Sequence, residues 1–356
     1  PVIYSTNVLH NNYLIGASIP FELPWKVVFR LLVVKNQVEQ TKLEILKSMW
    51  QFRGEVRRNY AQLVANEELL KARAEVKQLS QLIWQSSKTQ YDNGNAPGLD
   101  VRRAKLAYIQ AKMDYEQAQI KCDQAHEQMN LIMGKPLDAP IVVPGIMDPH
   151  KLPQASELLP DFAKPFPSRD ELINLARENR LELKIAKQAI KTNSANLRNA
   201  YGNILPSPRF VVGQALELNP PPPGPIQREP FFQAYIDAPV FNFQQGDIAK
   251  FKATEKQLKL DLQGQENLIA GQVEFAYKNL LAARQRIRSF QEEALVEADA
   301  VASIAKHGYE LGQTDLNTLL DAQRTNIQTK TQYLDSVLTY QLAINDLEQG
   351  IGIPLE

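Results

Sequence analysis

Few side chains in this sequence have the type and spacing that chemistry needs. Cys122 is the single cysteine, and His10, His126, His150 and His307 are scattered along a chain of 356 residues. A disulfide framework, a thiolate metal site and a histidine cluster all lack their residues. No Ser–His–Asp set, phosphate-cradling glycine loop or paired-carboxylate pattern occurs, so no enzyme activity, cofactor or resident metal is expected. Lys plus Arg and Asp plus Glu both total 40, a balance that argues against a nucleic-acid partner. The charges that stand out sit at the starts of two helical runs. Asp100 and Asp315 each follow a turn and precede a helix, which predicts N-caps. Arg102 and Arg103 follow the first, and Asp321 with Arg324 follows the second. Read alone, Asp321 is an acid near a helix start that complements the helix dipole. Cys122, between alanines on a helix face, reads as buried packing.

What positions these charges is a duplication. Residues 91–137 superpose on 309–355 without a gap at an offset of 218, with Tyr91/Tyr309, Gly94/Gly312, Ala104/Ala322, Ile109/Ile327, Gln110/Gln328, Lys112/Lys330, Tyr115/Tyr333, Ala125/Ala343, Gly134/Gly352, Pro136/Pro354 and Leu137/Leu355 identical. Chance would give roughly three such pairs. Upstream the match continues with a one-residue slip, Val56, Tyr60 and Leu63 against Val273, Tyr277 and Leu280. A period this long means two copies of one large unit, not a short solenoid repeat.

Each copy reads as strand, long helix, turn and return helix. From Trp25 to Tyr91 there is no proline and one glycine, Gly54, and apolar residues recur at three-and-four spacing. The second copy runs from Asp247 to Tyr309, with Phe251, Leu258, Leu262, Ile269, Val273, Phe275 and Leu280 at similar spacing. About 60 residues at 1.5 Å each make a rod of roughly 90 Å, which predicts a coiled coil or a barrel of helices. Return helices follow over Asp100–Met133 and Asp315–Gln349, each stopped by a glycine with proline two residues later. A further helix, Arg169 to Ile204, opens the second copy. Gly94 and Gly312 are expected to reverse the chain at φ > 0.

Asn12–Glu22 alternates, with Tyr13, Ile15, Ala17, Ile19 and Phe21 on one face. Phe231–Val240 does the same with Phe232, Ala234, Ile236 and Ala238, and Pro208–Leu218 is a third candidate. Segments of about 9–11 alternating residues fit transmembrane β-strands as well as a soluble hairpin. The proline-rich link Asn219–Pro230 suits an exposed loop between two antiparallel strands. A second proline-rich stretch, Pro136–Pro167, divides the copies. No apolar run approaches the ~18 residues of a membrane-spanning helix.

At this point the residues carry a resemblance. Tyr91-Asp-Asn-Gly94 with Asp100-Val101 and Ala104, and Tyr309-Glu-Leu-Gly312 with Leu319-Leu-Asp-Ala-Gln323, resemble the helix–turn–helix tips of the outer-membrane efflux (TolC) family. Arg180-Leu-Glu-Leu-Lys-Ile-Ala186 leading to Leu205-Pro206 is similar to that family's repeat-opening helix, and Pro239-Val-Phe-Asn-Phe-Gln-Gln-Gly246 to its strand-to-helix junction. The junction and the proline-rich divider look like its heavy-metal efflux branch. The sequence departs from the pattern at the Asn95-Ala-Pro-Gly98 tip, at Thr318 and at the junction Leu23-Pro-Trp-Lys26.

The resemblance implies a mainly α chain with a small β part: long antiparallel coiled-coil helices forming a periplasmic tunnel, and four strands per chain in a trimeric twelve-stranded barrel. It implies residues 1–137 as the first repeat, 138–167 as a proline-rich equatorial linker and 168–356 as the second repeat. The implied function is a passive outer-membrane exit duct of a tripartite efflux or type I secretion system, working as a homotrimer in outer-membrane lipid with a periplasmic adaptor and an inner-membrane pump. Asp321, Arg324, Arg102 and Arg103 would then form a periplasmic gate, and Gly94, Asp100, Val101, Gly312, Thr314 and Asp315 the adaptor-docking tips. A soluble periplasmic coiled-coil adaptor or scaffold is the alternative. Subtracting the repeat offset puts Pro1 at the loop between the first two strands. That predicts a natural chain longer by one helix, one strand and a signal peptide.

Overall fold

The computed structural model describes residues 2–5, 12–94, 96–141, 166–217, 227–236 and 243–355. Most of the proline-rich divider, residues 219–226 of the Asn219–Pro230 link and residues 239–242 of the Pro239–Gly246 junction lie outside the described residues. The expected mainly α chain with a small β part is what is found. Helix α1 spans Pro24–Asp92 and α2 Gly98–Ile132; α3 spans Arg169–Asn179 and α4 Leu181–Gly202. The second rod is α5 (Gln245–Ser289), a π-helical turn (Phe290–Ala294) and α6 (Leu295–Glu310), followed by the return helix α7 (Leu316–Ile351). No helix among the described residues is long and apolar enough to cross a membrane.

Four strands form one antiparallel sheet in the order β1-β2-β3-β4: Val2–Ser5, Asn12–Pro20, Arg209–Glu217 and Gln227–Tyr235. The register joins Ile19 to Phe210 and Phe210 to Ala234, then Ala17 to Val212 and Val212 to Phe232. These residues share one face, as the alternation predicts. That face is apolar and open: Ile19 is 56% exposed, Val212 48% and Phe232 66%. Phe210 stacks on Phe232 at 5.8 Å and meets Phe21 edge-on at 6.0 Å. Gly16, Ser18, Val211, Gly213 and Gln233 lie on the opposite face. Pro230, expected in a loop, sits inside β4; an edge strand tolerates the missing N–H.

One expectation is corrected here. The repeat alignment leaves the first copy with a single strand, but Val2–Ser5 pairs with β2 and gives it two. The connection over residues 6–11 is shorter than its counterpart over 218–226, so a constant offset misplaces the strand.

The chain divides into two compact units, Pro1–Leu46 with Leu181–Glu266, and Lys47–Arg180 with Asn267–Glu356. In the first, amides fix the helices: Gln188 Nε2 donates to Asn36 O at 3.1 Å and Asn193 Nδ2 to Phe251 O at 2.8 Å. In the second, Leu63, Leu172, Val273, Leu280, Ile287 and Leu347 are fully buried. Polar bonds set the register of α1 against α7. Asn345 Nδ2 donates to Gly54 O at 3.2 Å, Gln349 Nε2 to Trp50 O at 3.1 Å, and Arg57 pairs with the buried Glu348. The helix predicted over Arg169–Ile204 breaks at Arg180, where ψ is 122°. Its guanidinium donates to Gly350 O at 2.9 Å, and its Cα lies against Gly352 at the end of α7.

Candidate functional site

The two helix–turn–helix ends come together around one core. Ile83 of α1, Ala104 of α2, Ala305 of α6 and Leu316, Leu319 and Ala322 of α7 are buried against one another. Ala104 and Ala322 are repeat equivalents, and each is small where helices approach closely. The equivalent tyrosines diverge. Tyr309 reaches into the first copy, its hydroxyl 3.4 Å from Ser87 Oγ and donating to Gln90 Oε1 at 3.3 Å. Tyr91 stays half exposed, with its ring against Gly98.

Both turns reverse as expected, with φ of 78° at Gly94 and 70° at Gly312. Gly94 N–H donates to Tyr91 O at 2.8 Å and Gly312 N–H to Tyr309 O at 3.1 Å. Thr314 packs its methyl toward Gly308 and donates through Oγ1 to Ala305 O at 3.3 Å. Asp315 is the N-cap of α7, accepting from Thr318 N–H at 3.0 Å and from the Thr318 hydroxyl. Those bonds from Thr318 hold its carboxyl below the usual range. Asp100 is not a cap. Helix α2 starts three residues earlier at a proline, Pro97, with no side-chain cap, and Asp100 lies in the first turn beside the half-buried Val101. Pro97 occupies the N-cap position with extended backbone and has no side-chain oxygen to accept from the first turn.

The gate charges are only partly brought together. Arg103 Nη1 donates to Asn317 Oδ1 at 3.1 Å, and Asn317 Nδ2 donates to Asp315 Oδ2 at 3.2 Å. This chain of bonds ties the return helix of the first copy to the cap of the second. Asn317 was not singled out from the sequence, because an uncharged residue in a helix's first turn gives no signal. Asp321, Arg324 and Arg102 are exposed on their helices. Among the described residues, no ion pair joins Asp321 to Arg103, its repeat equivalent, or to Arg324. No group of His, Cys, Asp and Glu among the described residues is arranged to hold a metal. Cys122 is buried as expected, and burial raises its thiol pKa.

A sheet with an exposed apolar face, joined to paired helical rods that converge on two turns, is the fold of the outer-membrane efflux channels. Solved structures of this fold match nearly the whole chain. They include the CmeC outer-membrane channel of Campylobacter jejuni, at 14% identity over 96% of this chain and 71% of that one, with a TM-score of 0.73. The outer-membrane protein VceC of Vibrio cholerae matches at 12% identity over 100% and 85%, and CusC, described as forming a transmembrane channel, at 17% over 99% and 82%; both TM-scores are 0.73. The likeness does not single out the heavy-metal branch that the sequence suggests. No family model matches, and no curated protein matches in sequence.

Proposed function

We propose that the protein is the outer-membrane exit duct of a tripartite efflux or type I secretion system, a passive channel without catalysis. The observation that carries this reading is the sheet: four antiparallel strands with an open apolar face, unpaired among the described residues at the outer edges of β1 and β4. Open edges are not tolerated in lipid, and four strands are too few to close on themselves. Three chains joined edge to edge make a closed twelve-stranded barrel. Strand β3, with Phe210 and Val212 on that face, spans Arg209–Glu217, eight steps or about 27 Å along the strand at 3.4 Å per residue. Tilted by about 40°, such a strand covers about 21 Å of height, most of the ~25 Å apolar band of outer-membrane barrels.

In this reading the helices extend into the periplasm, and the turns bearing Gly94, Asp100, Val101, Gly312, Thr314 and Asp315 meet the adaptor of an inner-membrane pump. Asp321 and Arg324, unpaired with each other in one chain, are available for contacts between chains that hold the inner end closed. Arg102 is available in the same way, while Arg103 is already held by Asn317. Exposed ion pairs contribute only about 0–1 kcal/mol each, so docking of a partner is able to break them. The test is fractionation followed by reconstitution. A heat-modifiable trimer extracted by detergent from the outer membrane, conducting ions in planar bilayers, is the expected result. A soluble monomer would overturn the proposal.

A further inference from the structure

The second rod holds one residue more than the first, and two independent features locate it. The repeat offset is 217 at Leu63/Leu280 and 218 at Tyr91/Tyr309, so an insertion falls between them. The buried positions shift in the same stretch. Val273, Leu280 and Ile287 are seven apart, Leu295 and Ala302 are seven apart, but Ile287 and Leu295 are eight apart. The π turn Phe290–Ala294 lies between these two frames, with Leu295 N–H bonded to Phe290 O. A π turn is how an α-helix houses one extra residue, and an insertion in a heptad pattern changes which face looks inward from there on. Helix α1 has no such turn.

The consequence is specific. An unshifted frame would turn Glu297, Val301 and Ile304 inward. The shifted frame instead buries Ala298, Ala302 and Ala305 in the close packing of α6 on α7. The larger apolar side chains are left outside: Val296 is 60% exposed, Ile304 71% and Leu311 60%. A matching ridge stands on α2 at strict seven-residue spacing, with Leu99 56% exposed, Leu106 67% and Met113 57%. Counted from the two turns, Leu99 and Leu311, then Leu106 and Ile304, then Met113 and Val296 stand at like distances along their helices.

We propose, building on the trimeric duct reading, that the π turn sets the phase of α6 so that its Val296–Ile304–Leu311 ridge packs against the Leu99–Leu106–Met113 ridge of a neighbouring copy. The charges beside the ridges are complementary. Residues 98–113 carry Arg102, Lys105 and Lys112 against Asp100, and residues 290–310 carry Glu292, Glu293, Glu297 and Glu310 against Lys306, while Arg103 and Asp299 are engaged with α7. Two different surfaces that fit head to tail are what a closed ring of identical subunits requires, and apolar ridges, at seven-residue steps on α2 and at eight and seven on α6, flanked by opposite charges allow two helices to pack lengthwise.

The test uses the full chain in detergent with Cys122→Ala as background and Leu106→Cys and Ile304→Cys together. Oxidation is expected to give a trimer-sized band that collapses to monomer on reduction; monomer alone overturns the pairing. Deleting the exposed Glu293 in this cysteine background is expected to abolish the cross-link while helix content stays unchanged, and an undiminished cross-link overturns the role of the π turn. Should the deletion fail to fold, Ile304→Glu leaves the buried face of α6 intact. Loss of the trimer on sedimentation is then expected, and a trimer that persists overturns the proposal. A double-cysteine trimer that cross-links but, like the wild type, conducts nothing after reduction would sink the duct reading and leave this one standing.

Discussion

Gly134 and Gly352 occupy the same place in the two copies and offer an internal control on what separates them. Both end a return helix with positive φ, 66° and 81°. An alanine in that conformation is disfavoured by roughly 1–2 kcal/mol. At Gly134 an added Cβ meets no described atom within 4 Å, so Gly134→Ala should cost only that, about 1–2 kcal/mol. At Gly352 the Cβ would lie 3.2 Å from Arg180 Cα and from the Asn179 carbonyl. These are backbone atoms at the break between α3 and α4, fixed by Arg180 N–H to Ala176 O at 2.9 Å and by its guanidinium to Gly350 O. They cannot swing aside as a side-chain tip does, and overpacking of this kind adds about 1–3 kcal/mol. Gly352→Ala should therefore cost about 2–5 kcal/mol. Where unfolding is irreversible, the difference is best read as an unfolding rate. If the α3–α7 contact is absent from the unfolding transition state, a gap of about 1.4 kcal/mol is a tenfold faster loss of the circular dichroism signal. Equal rates for the two variants would show that the end of α7 does not rest on α3, and the account of the Arg180 break would fall with it.

Other expectations follow from the tips and the sheet. Asp321→Ala should raise single-channel conductance and weaken block by divalent cations; if neither changes, Asp321 is an ordinary acid near a helix start. Arg103→Ala removes the bond to Asn317 and should raise open probability without disturbing trimer assembly, checked by bilayer recording beside native gels. The depressed pKa of Asp315 gives its cap a stabilising effect that is complete above the unfolded carboxylate pKa, near 4, and is lost as pH falls through the lower folded value. The Thr318 bonds should therefore persist from pH 5 to 8, and titration of tip-turn hydrogen exchange with a midpoint near 6 would contradict this. Phe232→Lys places a charge on the apolar sheet face and should cost about 2–4 kcal/mol if that face meets the bilayer midplane. A cost near zero in lipid refolding would show that the face is wet.

The order and kind of elements were legible because they depend on periodicity. Alternation in β2 to β4, three-and-four spacing in the rods, and the Gly–Pro stops are local patterns, and local backbone sterics obey them. The duplication was visible for the same reason, down to the one-residue slip between Leu63 and Tyr91. What that slip does was not visible, since the choice between burying Ala302 and burying Ile304 is made by how closely α7 can approach. The strand at Val2–Ser5 was missed because four residues carry no period of their own and are fixed only by pairing with β2. Asp100 and Asp315 read alike in sequence, yet only Asp315 caps a helix, because Pro97 already begins α2 upstream. Arg103 finds Asn317 and not Asp321 because packing of Ala104, Leu319 and Ala322 sets the height of α2 against α7. The sequence by itself determined the long helices and three of the four strands, and it reads as two copies of one unit. Contacts between residues more than 200 positions apart decided which charges meet, because those distances are set by the buried core and not by the chain's local conformation.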